Sequence, residues 1–124
     1  MNKLEKTFPK GFLWGGAVAG NQIEGAYEAG QKAVVIEDLI STGKSSLQVV
    51  DVLRNAGVEV AGMVSIFNYG FDVANKAFAE KNCAYISLTN YAAMIALGME
   101  KGIVAKELEP LLLQWRNDPA NWMK

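Results

Sequence analysis

Short apolar segments alternate with amphipathic ones along this sequence, and few folds accommodate that alternation. The apolar segments are typical of β-strands, and the amphipathic ones, with apolar residues three or four apart, are typical of helices. We expect strands at residues 12–19, 33–39, 59–67 and 84–88, and helices at 45–56, 72–81, from 90 onward and at 105–117. Strands that alternate with helices predict right-handed crossovers, so the fold class is α/β, with a small parallel sheet of about four strands flanked by helices in three layers.

Three local signals refine this expectation. Val34, Val35 and Ile36 form the continuous apolar run that is typical of a strand buried on both faces. Ser45 is the predicted N-cap of the first of these helices, and Asn90 that of the third. A four-stranded sheet has two edges, and for an apolar edge we expect a homodimer or a covering terminal segment.

Composition excludes several classes of function. The 124 residues suit one domain, and 12 basic against 13 acidic residues give no field that would collect nucleic acid or an anionic membrane. The absence of His excludes His-based triads and His-ligated metals. The single cysteine, Cys83, cannot form an internal disulfide and indicates a reducing, cytoplasmic compartment. No apolar run approaches the ~20 residues of a membrane span, so we expect a soluble protein, with residues 12–19 as a strand rather than a cleaved leader.

The candidate site is the loop after the most hydrophobic strand. In parallel sheets ligands bind beyond the carboxyl ends of the strands, and here two acids are followed by hydroxyls, a glycine and a lysine that lead into a helix. The acids can accept hydrogen bonds from vicinal hydroxyls, while free N–H groups at the helix start attract an anion. A phosphorylated sugar is the predicted ligand. The candidate residues are Glu37, Asp38, Ser41, Thr42, Gly43, Lys44, Ser45 and Ser46.

This loop has two other interpretations. A P-loop requires a glycine five positions before Gly43, where Asp38 stands, so nucleoside-triphosphatase chemistry is rejected. The alternative that stays open is structural: Glu37 and Asp38 as solvated strand-end acids, and residues 41–46 as an ordinary capped loop.

The run from Val34 to Ser46 resembles the phosphoribosyl-pyrophosphate signature of type I phosphoribosyltransferases: apolar residues, two acids and a Thr-Gly loop. Residues 62–70, 87–91 and 115–119 extend the similarity, which covers about 20–124 and is greatest to the C-terminal half of the orotate phosphoribosyltransferase family. The resemblance implies a phosphoribosyltransferase-like core in which Glu37 and Asp38 face the ribose hydroxyls and residues 42–46 hold the 5-phosphate. Lys44 stands where that family more often has Gly.

Residues 8–19 and 21–26 resemble the opening strand of family 1 β-glycosidases, particularly the 6-phospho-β-glucosidases. Those enzymes are complete (β/α)8 barrels whose catalytic carboxylates lie on later strands, so glycosidase activity is not expected. The two resemblances indicate a chimera, most simply an engineered one, folded as a single domain. Its glycosidase-like strand would span residues 1–20, the shared junction 21–30 and the phosphoribosyltransferase-like half 31–124.

Catalysis by this chain is not expected to be efficient, because no Lys, Arg or His lies between Gly15 and Lys32 to stabilise a pyrophosphate leaving group. No catalytic residue, metal ligand or cofactor is assigned, and Mg²⁺ would enter only with phosphoribosyl pyrophosphate. The expected partner is phosphate or phosphorylated ribose, bound weakly. An orotate phosphoribosyltransferase-type transferase of pyrimidine nucleotide biosynthesis is one alternative, and a purely structural scaffold is the other.

Overall fold

The computed structural model describes residues 30–123 of the chain. Within this range β1 (Lys32–Ile40), β2 (Glu59–Asn68) and β3 (Tyr85–Asn90) form a parallel sheet in the order β1-β2-β3. The predicted α/β class is therefore confirmed, with three strands in the described part of the chain. The strand expected at residues 12–19 lies outside the described residues.

Helices follow each strand. They are α1 (Lys44–Asn55), α2 (Asp72–Glu80), α3 (Tyr91–Glu100) and α4 (Glu109–Asn117). The start predicted for the last helix at residue 105 is wrong, because a 3-10 turn at Lys106–Leu108 precedes α4. Pro110 explains the difference: proline has no N–H and is accommodated in the first turn of a helix, so the regular helix begins next to it. None of the helices described is long and apolar enough to cross a membrane.

The core lies between the sheet and the pair α1 and α2. Both crossovers step in the same direction across the sheet, and right-handed connections then place both helices on the same side. The buried cluster joins residues of both helices to β1 and β2: Val35, Ile40, Leu47, Val50, Met63, Ala74, Phe78 and Cys83. Cys83 is thus a buried free thiol that packs as a small apolar side chain.

Polar contacts join the ends of α1 and α2. Arg54 donates from Nη2 to the carbonyl of Asn82 over 3.0 Å, next to the end of α2. Lys81 forms an ion pair of 2.7 Å with Asp51. These contacts hold α2 against α1, and they thereby keep Phe78 of α2 under the loop that follows β1.

The opposite face of the sheet is open among the described residues. Val34 and Ile36 are largely exposed, whereas Val35 between them is buried. The prediction of a β1 buried on both faces is therefore wrong for the described part of the chain. Successive strand residues point to opposite faces, and helices cover only one of them here.

A cluster of rings lies where the chain leaves β2 and β3. Tyr69 stacks on Phe71 with ring centroids 5.1 Å apart, and Tyr91 lies 5.4 Å from Trp115 of α4. The Tyr91 hydroxyl also donates to the carbonyl of Leu112 over 3.2 Å. This cluster attaches α3 and α4 to the carboxyl edge of the sheet.

Candidate functional site

The structure places the sequence-predicted residues on one continuous strand, turn and helix. Glu37 and Asp38 lie within β1, which continues through Leu39 to Ile40. The turn contains Ser41, Thr42 and Gly43, and α1 begins at Lys44. The eight candidates therefore follow one another around the carboxyl end of β1, where a parallel sheet binds its ligands.

Gly43 shapes this turn. Its φ of +80° lies in the left-handed region, which side chains other than glycine rarely adopt. A Cβ built on Gly43 would lie 2.8 Å from Cε2 of Phe78 and 3.7 Å from Cβ of Ala74. Both neighbours are core residues, so the backbone of the turn rests directly on the hydrophobic core and cannot move towards it.

The start of α1 carries no side-chain cap, so the prediction that Ser45 is the N-cap is wrong. The N-cap is Gly43. Ser45 lies inside the first turn of α1, so its hydroxyl does not stand ahead of the unpaired N–H groups at the helix start, as the side chain of an N-cap would. The first helical hydrogen bond runs from the N–H of Leu47 to the carbonyl of Gly43 over 2.9 Å. The N–H groups of residues 44–46 precede this ladder and have no helical acceptor, which is the arrangement that attracts an anion.

The hydroxyl and lysine side chains divide by exposure. Thr42, Lys44 and Ser45 are exposed beside the helix start, Ser41 is half-buried and Ser46 is buried. A ligand arriving from solvent would therefore meet two hydroxyls, one ammonium group and the N-terminal N–H groups of α1. The position of Ser46 in the predicted loop did not indicate that its side chain is buried.

The two acids occupy different environments. Glu37 is half-buried, and burial raises the pKa of its carboxyl, with the neighbouring charge of Asp38 raising it further. Asp38 is exposed and its Oδ1 accepts the N–H of Leu39 over 2.7 Å. Alternation along a strand directs consecutive side chains to opposite faces, so the pair does not present two parallel carboxylates.

The described residues contain no group of three or more His, Cys, Asp or Glu that could hold a metal ion. Glu37 and Asp38 are the acids nearest the turn in sequence. Two carboxylates fit Mg²⁺ only where a ligand's phosphates and water complete its six positions.

The structure adds one cation to the carboxyl edge that the sequence analysis did not single out as a site residue. Nη1 of Arg116, in α4, lies 3.5 Å from the position that a Cβ would take on Gly70, in the loop after β2. With Asp72 and Asn117, these residues line a small cavity of about 60 Å³. No local pattern could have found this placement, because it depends on the packing of the last helix.

A larger cavity of about 490 Å³ lies at the C-terminal end, where Asp118 is the sole charged residue of its lining. A lining that carries an acid and no cation does not suit a phosphate. The turn after β1 therefore stays the candidate anion site of the described residues, as an open surface rather than an enclosed pocket.

Known proteins resemble this chain over most of its length. The chain is 50% identical over 102 residues, 82% of its length, to the orotate phosphoribosyltransferase of Phocaeicola vulgatus, of which it covers 48%. The chain is also similar to a second family. The family model of Glycosyl hydrolase family 1 matches residues 4–63.

Both resemblances expected from the sequence are thereby confirmed, with one difference. The glycosyl hydrolase match extends through β1 and α1 to Met63 instead of ending near residue 30. It overlaps the orotate phosphoribosyltransferase match, because the two together exceed the length of the chain. The chain spans about half the length of the curated relatives it matches.

Solved structures give the same fold. A UMP synthase from Leishmania donovani superposes with a TM-score of 0.63 and 27% identity over 76% of this chain and 21% of that one. The orotate phosphoribosyltransferase of Mycobacterium tuberculosis in complex with inorganic phosphate gives a TM-score of 0.50 and 30% identity, over 57% of this chain and 42% of that one. The described part of the chain therefore has a phosphoribosyltransferase-like α/β fold.

Proposed function

We propose that this chain holds the phosphoribosyl group of an orotate phosphoribosyltransferase-type reaction. The observation that carries the proposal is the turn after β1: an uncapped helix start, left open by Gly43, lies beside Thr42 and Lys44 at the carboxyl edge of the sheet. The relatives that support it carry the name orotate phosphoribosyltransferase, and one solved neighbour holds inorganic phosphate.

In this proposal the 5-phosphate of ribose lies against the N–H groups of residues 42–46. The hydroxyls of Thr42 and Ser45 donate to its oxygens, and Lys44 supplies a positive charge. The ribose hydroxyls donate to the carboxylate of Glu37 or of Asp38 at the end of β1, since the two side chains point to opposite faces. One such set of anion contacts contributes only a few kcal/mol, so the expected dissociation constant is about millimolar.

Transfer of the phosphoribosyl group is the first candidate activity, because the relatives are named for it. The bond from C1′ to a ring nitrogen of orotate forms as the bond from C1′ to pyrophosphate breaks. The leaving pyrophosphate takes the electron pair, and the proton of that ring nitrogen is released to pyrophosphate or water. Mg²⁺, bound with the pyrophosphate, would neutralise part of that charge.

Binding without efficient transfer is the second candidate, and the composition of the segment ahead of β1 favours it. Residues 16–31 contain no Lys, Arg or His to stabilise the pyrophosphate. Loss of one preorganised donor or cation typically costs a factor of about 10² to 10³ in rate. A free, buried Cys83 is compatible with the cytoplasmic setting that both candidates assume.

A titration tests the binding step. Backbone amide resonances of residues 42–46 should shift as ribose 5-phosphate is added, and unphosphorylated ribose should leave them in place. Thr42→Ala with Lys44→Ala should weaken the response about tenfold, while Lys76→Ala, which removes an exposed lysine of α2, should not. Unmoved resonances at high ligand concentration would overturn the proposal.

An assay of orotate consumption with phosphoribosyl pyrophosphate and Mg²⁺ then separates the two candidates. A rate that falls in Thr42→Ala would establish transfer. A full titration response without a rate would establish binding alone. If neither a titration response nor a rate is observed, the chain is a structural scaffold and the turn is an ordinary loop.

The comparisons with known proteins also bear on the origin of the chain. We propose that the chain is a chimera of a glycosidase-like N-terminal strand and a phosphoribosyltransferase-like half, assembled by engineering. The two overlapping matches to unrelated families support this.

A further inference from the structure

The face of the sheet opposite α1 and α2 exposes a continuous apolar surface in the described part of the chain. We call it the open sheet face, and its members are Val34, Ile36, Ile66, Ile86 and Leu88. Their side chains are between 53% and 76% exposed. Strand register places Ile36 and Ile86 on either side of Val64, so the surface crosses all three strands.

An aliphatic patch of this kind is costly in water. All five side chains are more than half exposed, so covering them would recover a free energy comparable with a typical margin of stability. Soluble monomers rarely leave such a contiguous surface exposed. A segment that covers it would therefore stabilise the folded chain.

We propose that residues 8–19 of this same chain cover the open sheet face. These twelve positions, which we call the N-terminal apolar segment, carry large apolar side chains: Phe8, Phe12, Leu13, Trp14 and Val18. The turn after β1, where the phosphate would bind, rests on Phe78, on the opposite face of the sheet.

The chain leaves the described structure at a point from which this segment can reach the face. The N–H of Gly30 bonds to the carbonyl of Gly57 over 2.9 Å, which fixes residue 30 beside the starts of β1 and β2. Residues 20–29 can extend by roughly 30 Å. Three strands about 4.8 Å apart make a sheet only roughly 15 Å wide, so every point of the face is within reach.

The size of the face favours this occupant over a second copy of the chain. A sheet roughly 15 Å wide and roughly 25 Å long presents on the order of 400 Å². A stable interface between two proteins buries about 800 Å² on each partner. A tethered segment needs less area than a free partner, because the tether supplies a high effective concentration and most of the association entropy is already lost.

Cross-linking in the full chain tests the proposal. In a Cys83→Ala background, Ala17→Cys is combined with Leu88→Cys on the open sheet face, or with Glu80→Cys at the end of α2 as the matched control; Leu88 and Glu80 are both exposed. A short bismaleimide should link the first pair within one molecule at least about five times faster than the second. Equal rates for the two pairs, or links between molecules, would overturn the proposal in favour of a free segment or a second copy.

Thermal unfolding of the full chain supplies a second readout that leaves the segment itself intact. Ile86→Asp should lower the melting temperature by about 4 to 8 °C at every protein concentration. Ile103→Asp, in the turn after α3 where the side chain is 79% exposed, is the control and should change it little. Equal midpoints for the two variants would contradict the proposal, and so would a midpoint that rises with protein concentration.

Discussion

Gly43 meets two independent requirements of the turn after β1. Its backbone conformation is left-handed, and its missing Cβ leaves room for the ring of Phe78. The first requirement is local and the second is tertiary. A substitution at this position therefore has both a conformational and a steric cost.

Gly43→Ala should lower the free energy of unfolding by about 2 to 4 kcal/mol, because strain at positive φ adds to overpacking against Phe78. Gly102→Ala is the matched control, since Gly102 has a φ of +69° with nothing within 4 Å of its would-be Cβ. It should cost about 1 to 2 kcal/mol. Urea denaturation of both variants measures the difference, and equal losses would show that Phe78 yields without cost.

Glu37 gives the molecule a pH-dependent contribution to stability. Burial raises the pKa of this carboxyl above its ordinary value of 4.5, so the folded state favours the protonated form. Relative to Glu37→Gln, the wild type should be most stable below pH 4.5 and should lose that advantage as the pH rises through the raised pKa.

Denaturant unfolding of the two proteins from about pH 4 to about pH 7 measures this difference. Asp38→Asn should shift the loss to lower pH, because the charge of Asp38 is the second cause of the raised pKa. A difference between wild type and Glu37→Gln that does not change with pH would contradict the assignment.

Sequence reasoning can group candidate residues that are neighbours in the chain. The acids, hydroxyls and glycine from Glu37 to Ser46 could be grouped because one strand, turn and helix carries them all. The ring of Phe78 under Gly43 and the approach of Arg116 to Gly70 could not be found, because each joins elements far apart in sequence.

At the scale of elements, two helices begin in different ways. Asn90 caps α3, and its Oδ1 accepts the N–H of Ala93 over 2.9 Å, as the sequence predicted. The start of α1 has the glycine cap instead. The N–H of Ala93 at the start of α3 thus has a side-chain acceptor, whereas no side chain caps the start of α1.

Asn90→Ala should destabilise the chain by about 1 kcal/mol, because it removes the acceptor at the start of α3. Asn90→Asp keeps an acceptor in the same place and should stay within a few tenths of the wild type. Thermal unfolding monitored by circular dichroism measures both. Equal losses in the two variants would show that the amide has a role besides capping.

The boundaries of some helices depend on single residues rather than on periodicity. Strand and helix periodicity predicted β2 and α2 to within a residue of their observed ends. The predicted cap at Ser45 and the start of the last helix were wrong because one backbone conformation, at Gly43, and one proline, at position 110, decide those boundaries.

At the scale of the whole molecule, the sheet is covered from one side in the described residues. Among the strands of residues 30–123, β2 alone is paired on both edges, and it contributes Met63 and Ser65 to the buried interior. The hydroxyls of Ser65 and Ser87 also join β2 to β3 over 2.5 Å. The most stable part of the molecule should therefore be its centre strand.

Native-state hydrogen exchange should be slowest at the amides of Met63, Val64 and Ser65, whose opening requires both neighbouring strands to separate. The exposed carboxyl end of β3 and the helix α4, which has no buried residue, should exchange faster. Slower exchange in α4 than in β2 would contradict a stability centre in the sheet.

Periodicity predicted the parallel sheet but not the open sheet face. The run Val34 to Ile36 has the composition of a strand that is buried on both faces. What covers each face depends on which segments the rest of the chain supplies. That information lies in tertiary arrangement and not in the strand itself.

The unit from β1 to α2 contains both the turn and the residues beneath it, since Gly43 rests on Phe78 and Ala74. Recombination upstream of Gly30 would replace none of these partners. A strand, helix and strand of this kind occurs both in barrels and in open sheets, which agrees with the overlap of the two family matches across β1 and α1. Such a unit can be inherited, exchanged or transplanted as a piece, while the sequence ahead of it diverges freely.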